Sequence, residues 1–300
     1  LRLNKNKEEA KMEYDSVFQK ACLIQLSTSV WTPTKMLDHS VMEKIGKNSD
    51  WLRGRKFLIN PELLGPLNTT THQARNLVQK HSLPFPITGI YLIPKDHLSY
   101  VDSRLEEYQK AFMEKAAAFE TEYDQARNEA KLALGSLFNE GDYPLHISSK
   151  FKFNWRFLTI DLPGKSTILS PEIYEKEKQK FTDMMDEARD LASFTLINEL
   201  REIIDGLVER LNGSAKSMKS SMFNKLHEFI DALGTKNLFN DSLVKEFADE
   251  AKEALKGISP YGLSYNDSMK KVVKESMNAL KESIDTAIED LPRRKIRLAA

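Results

Sequence analysis

Residues 103–134 read SRLEEYQKAFMEKAAAFETEYDQARNEAKLAL, and the fold is decided by how the apolar side chains of this stretch are spaced. Leu105, Tyr108, Phe112, Ala116, Phe119, Tyr123, Ala126, Ala130, Ala133 and, just past the end of this stretch, Leu137 fall three and four apart, which is the seam of a long packing helix. The two successive fours from Tyr108 to Ala116 depart from a strict heptad and would slightly unwind a supercoil there. Asp96, after Pro94, is the expected N-cap, and Gly141 with Pro144 the expected stop.

Working outward, Ser170-Pro171-Glu172 opens a second arm with a capping hydroxyl, a proline at the first helical position and an acid in the first turn. Its apolar positions are Ile173, Phe181, Met184, Ala188, Leu191, Thr195, Ile197, Ile204, Leu207, Val208 and Leu211, before a stop at Asn212-Gly213. A helix of roughly forty residues extends about 60 Å at 1.5 Å per residue. The two arms are therefore expected to pack antiparallel as a projecting stalk. Between them Phe151, Phe153, Trp155 and Phe157 alternate with Lys152, Asn154 and Arg156, the period of a strand with one buried face.

Toward the N-terminus, Glu8 to Lys20 reads as helix and Cys22 to Trp31 as a strand. Trp31-Thr-Pro-Thr34 then caps a short helix with Leu37, Val41 and Ile45, closed by Gly46. Lys56 to Ile59 reads as a strand, Thr71 to His81 as a short helix, Leu83-Pro-Phe-Pro as an extended link, and Ile90 to Ile93 as a buried strand. Beyond Asn212 three shorter helices follow: Met218 to Leu233 closed by Gly234, a segment capped by Asp241 and closed by Gly257, and one capped by Asp267 that ends at Pro292. The fold class expected is mainly α with a small β element, α+β: a small antiparallel-sheet head on a long antiparallel helical hairpin, with further C-terminal helices. The domains expected are 1–93 plus 144–168 for the head, 94–143 plus 169–213 for the hairpin, and 214–300 for the C-terminal helices.

Lys plus Arg equals Asp plus Glu at 44 each, so no global field draws in nucleic acid or anionic membrane. Cys22 is the one cysteine, which leaves no intrachain disulfide. No apolar run approaches the roughly twenty residues of a membrane span, and the N-terminus has no signal-like apolar region, so a cytoplasmic protein is expected.

Candidate chemistry is sparse. Gly164-Lys165-Ser166 has the ending of a phosphate-binding loop, but Thr159 stands where its first glycine belongs, and an ordinary strand-exit turn is expected. His39, His72, His81, His97, His146 and His227 show no metal-ligand spacing, and His72, His81 and His97 would converge only through tertiary structure. Cys22 reads as a buried, inert thiol. The aromatic strand reads as core in preference to a base-stacking platform. Arg293, Arg294, Lys295 and Arg297 form a basic tail able to contact phosphate, the basis of an alternative nucleic-acid-binding reading.

In order of features the chain resembles the DUF3150 family. The features are the strand ending at Trp31, the Ile90-Tyr-Leu-Ile-Pro entry into a charged helix, the aromatic strand from Phe151, the second arm, and the Leu238-Phe-Asn-Asp run, covering the chain to about Pro260. The resemblance implies no catalytic motif. It implies a bacterial or phage accessory protein in the company of a MoxR-like AAA+ ATPase or a von Willebrand-type protein. The expected function is a non-enzymatic adaptor or structural component without cofactor, with a protein partner, open to homo-oligomerisation and not bound to membrane.

Overall fold

A computed structural model of the chain describes residues 17–45, 53–160, 170–212 and 220–290. In chain order the elements are β1 (Ala21–Ser29), β2 (Thr34–Met36), α1 (His39–Ile45), β3 (Arg55–Phe57), α2 (Gly65–His81), β4 (Leu83–Pro84), β5 (Ile90–Pro94) and α3 (Lys95–Leu134). They continue with β6 (Lys152–Leu158), α4 (Pro171–Asn212), α5 (Ser220–Lys236), α6 (Ser242–Ala254), α7 (Pro260–Tyr265) and α8 (Asp267–Asp290). Helix predominates beside a small antiparallel sheet of order β4-β5-β1-β6, so the chain is α+β as its spacing predicts.

The partition into compact units differs from the expected head, stalk and tail. The first unit takes the described residues of Leu1–Ile24, His81–His97 and Phe157–Ala300, and the second those of Gln25–Lys80 and Leu98–Arg156. Nearly all of α3 thus falls in one unit and all of α4 in the other. The reason is that each arm's apolar stripe is filled from within its own unit.

In the second unit the α3 seam is buried at Val101, Leu105, Phe112, Ala116, Phe119, Tyr123, Ala126 and Ala130. Phe112 is fully buried, its ring 5.5 Å from that of Phe153 and 6.5 Å from that of Phe151, so the aromatic strand supplies the knobs for this helix. Gln109 Nε2 donates to the Phe153 carbonyl at 2.7 Å, and Lys115 Nζ reaches Thr70 Oγ1 on α2 at 2.6 Å. The buried face of β6 fades along its length: Phe151 and Phe153 are buried, Trp155 is half-buried and Phe157 is exposed. Trp155 is therefore an edge residue, its indole N–H donating to Asp102 at 2.7 Å.

The β2 and β3 strands pair antiparallel, Thr34 opposite Phe57 and Met36 opposite Arg55. Thr34 was expected to cap a helix; it belongs to this ribbon, and α1 starts later, where the Asp38 carbonyl accepts from Val41 and Met42. On the other side of the ribbon Lys56 Nζ lies 2.7 Å from Asp142 and donates to the Leu137 carbonyl at 2.6 Å. That contact, with the Tyr143 hydroxyl donating to the Leu58 carbonyl at 2.7 Å, ties the segment after α3 to the ribbon.

In the first unit the C-terminal part of α4 buries Leu196, Ile197, Leu200, Ile204, Leu207, Val208 and Leu211. They pack in one cluster with Val273, Met277, Leu280 and Ile284 of α8, four residues whose 4-3-4 spacing makes a matching seam. Arg201 Nε lies 2.5 Å from Asp285 and Lys281 Nζ 2.5 Å from Asp205. Because the α8 numbers fall as the α4 numbers rise, the two helices run antiparallel. Leu23 of β1, and Leu83 and Leu92 of the β4–β5 pair, join the same cluster. Pro84 is tolerated because β4 is an edge strand, where a missing N–H costs no ladder bond.

Several boundaries move for local reasons. Helix α3 starts at Lys95, which puts Asp96 inside the first turn, and ends before Gly135, whose φ of +52° supplies the left-handed exit expected at Gly141. Gly234 lies inside α5 and stops nothing. Asn266, not Asp267, caps α8, its Oδ1 accepting from Met269 N at 3.0 Å. Pro260-Tyr-Gly, between the two expected helices, opens a short helix of its own, α7: Ser259 accepts from Gly262 N at 3.0 Å and proline takes the first helical position. Gly46, Gly213 and residues 8–16 of the expected N-terminal helix lie outside the described residues.

Candidate functional site

The residues singled out for chemistry are placed as follows. Gly164, Lys165 and Ser166 fall in 161–169, and Arg293, Arg294, Lys295 and Arg297 in 291–300, both outside the described residues. His81 and His97 do converge, their rings perpendicular with centroids 5.1 Å apart, and His97 Nδ1 is 3.0 Å from the His81 carbonyl oxygen. His72 belongs to the other unit. Among the described residues no group of three or more His, Cys, Asp or Glu side chains could hold a metal ion. Cys22 is half-buried, and that burial pushes its thiol above the ordinary range, away from the reactive thiolate.

The Leu238-Phe-Asn-Asp241 run turns out to be architecture. Asp241 caps α6, its Oδ1 accepting from Leu243 N at 2.9 Å and Val244 N at 3.3 Å, while Oδ2 takes the hydroxyl of buried Ser193 on α4. Asn237 locks the same turn from the other side: its amide donates to the Asp241 carbonyl at 2.9 Å and its oxygen accepts from Asp241 N at 2.8 Å. Lys236 beside it is nearly buried and reaches Glu199 of α4 at 3.0 Å. Each member is used in joining α5, α6 and α4.

What the first unit turns toward water is different in kind. Helix α7 is anchored by Leu263, 1% exposed, and presents Tyr261 and Tyr265 one turn apart at 74% and 75% exposure. Their rings stand 4.6 Å apart and 44° from parallel. Val272 on the neighbouring α8 is also largely exposed. Two large rings held against each other in solvent have lost rotamer freedom without being buried, and tyrosine in that state is a common interface anchor. These tyrosines lie between Gly257 and Asp267, a stretch to which the sequence spacing assigns no element. The signal was Ser259-Pro260, an N-cap followed by proline at the first helical position.

A family model, described as a protein of unknown function (DUF3150), matches residues 18–202. The match ends within α4, so the Leu238 run, included in the resemblance read from the sequence, lies beyond it together with α5 to α8. No curated protein and no solved structure matches the chain. Among the described residues no helix is long and apolar enough to cross a membrane.

Proposed function

The chain belongs to the DUF3150 family, and from that premise we propose that it is a non-enzymatic interaction protein, an adaptor or structural component of a larger assembly. The observation that carries this reading is the exposed pair Tyr261 and Tyr265, their rings in tilted contact, seated on a short helix whose Leu263 is fixed in the core. Burying two tyrosine rings against a partner removes several hundred Å² of surface, at about 25 cal/mol per Å² of its apolar part. Holding them in place beforehand lowers the ordering cost of binding. The long helices support the reading by giving each unit a rigid frame. The partner we propose, from the resemblance, is a MoxR-like AAA+ ATPase or a von Willebrand-type protein of a bacterial or phage system.

The test is co-expression with a MoxR-like AAA+ ATPase and, separately, with a von Willebrand-type protein, followed by light scattering on the purified mixture. A complex is expected, and Tyr261→Ser with Tyr265→Ser should abolish it while leaving the circular dichroism of the chain unchanged. A chain that stays uncomplexed with both, or a complex indifferent to the double substitution, contradicts the reading.

A further inference from the structure

A groove of about 300 Å³ in the second unit lies between the end of β1 and one face of α2, lined by Thr28, Ser29, Asn68, His72 and Arg75 among others. Asn68, His72 and Arg75 recur at the four- and three-residue steps that align side chains on one face of a helix. Arg75 Nη2 donates to Thr28 Oγ1 at 2.8 Å, which fixes the guanidinium at the groove while using one of its five N–H donors. Among the described residues no carboxylate pairs with Arg75. That sets it apart from Arg104, Arg127, Arg189 and Arg201, each bonded to an Asp or Glu.

The cause is legible in the sequence. The chain holds 44 acids in 300 residues, yet none occurs between Glu62 and Asp96, nor between Asp15 and Asp38. Both walls of the groove come from these acid-free stretches, so its formal charge is positive in a chain that is neutral overall. Hydroxyl, amide, imidazole and guanidinium groups around a small space form a donor-rich lining suited to an oxyanion. We propose that this groove binds an oxyanion group, phosphate or carboxylate, with Arg75 as its principal donor. The assignment is independent of the tyrosine face, which lies in the other unit.

The test titrates inorganic phosphate, and separately succinate, into the full chain by calorimetry, against sodium chloride of matched ionic strength. Saturable binding of at least one is expected. Arg75→Ala should weaken it about tenfold or more, the loss of a charge-assisted contact. Arg75→Lys should recover only part, since the planar fork is gone, and Lys80→Ala, exposed on the same helix, should change nothing. Arg75 is itself exposed, so these variants should fold. Phosphate without succinate assigns a phosphate-bearing ligand, and the reverse a carboxylate-bearing one. Binding of neither, or binding insensitive to Arg75→Ala, overturns the proposal.

Discussion

Tyr123 shows how a single buried polar group ties the second unit to pH. Its hydroxyl donates to the Pro144 carbonyl at 3.1 Å and its ring meets Trp31 edge-on at 5.7 Å. Burial pushes its pKa from 10.0 up to about 12, against the opposing pull of the Arg127 guanidinium. The fold favours the neutral phenol, so the stability conferred is whole below pH 10.0 and is lost as the pH rises toward about 12. Tyr143 shifts the same way, first by burial and then through Asp142. Urea midpoints measured across that window should therefore fall less steeply for Tyr123→Phe than for the native chain; equal slopes would show that Tyr123 ionises as freely folded as unfolded. The alternation of Phe151 to Phe157 identified a strand but not where its burial stops. Period two assigns faces, and only the neighbours decide that Phe153 is core and Trp155 an edge residue bonded to Asp102.

At the scale of elements, the long helices were legible because a three-and-four spacing kept up over many turns has no other reading. Their partners were not, because a narrow apolar stripe records that something covers it and not what. The α4 stripe is covered by α8 through Val273, Met277, Leu280 and Ile284. The polar pairs beside that seam set the antiparallel register. A double-mutant cycle on Arg201→Met and Asp285→Leu should give a coupling of about 0.2–1 kcal/mol, the range for partly exposed ion pairs. Zero coupling would remove that pair as a register mark. The anion groove was missed for a related reason: chemistry was sought in motifs, whereas the signal was a gap in the distribution of Asp and Glu.

At the scale of the molecule, the family match covers residues 18–202 and the exposed tyrosines lie past it, so the matched frame and the proposed docking helix are separate parts of one chain. The structural claim beneath both is that the chain holds two cores, one built on α3 and the aromatic strand and one on α4 with the C-terminal helices. Hydrogen exchange on the full chain carrying Phe153→Ala tests it most directly. The substitution removes a 2%-exposed ring from beside Phe112 and should cost the second unit about 3–5 kcal/mol. Exchange should then accelerate in α2, in β6 and in α3 beyond Leu98, and stay at native rates in α5, α6 and α8. Equal acceleration in α8 would mean one cooperative core and would contradict the division into two.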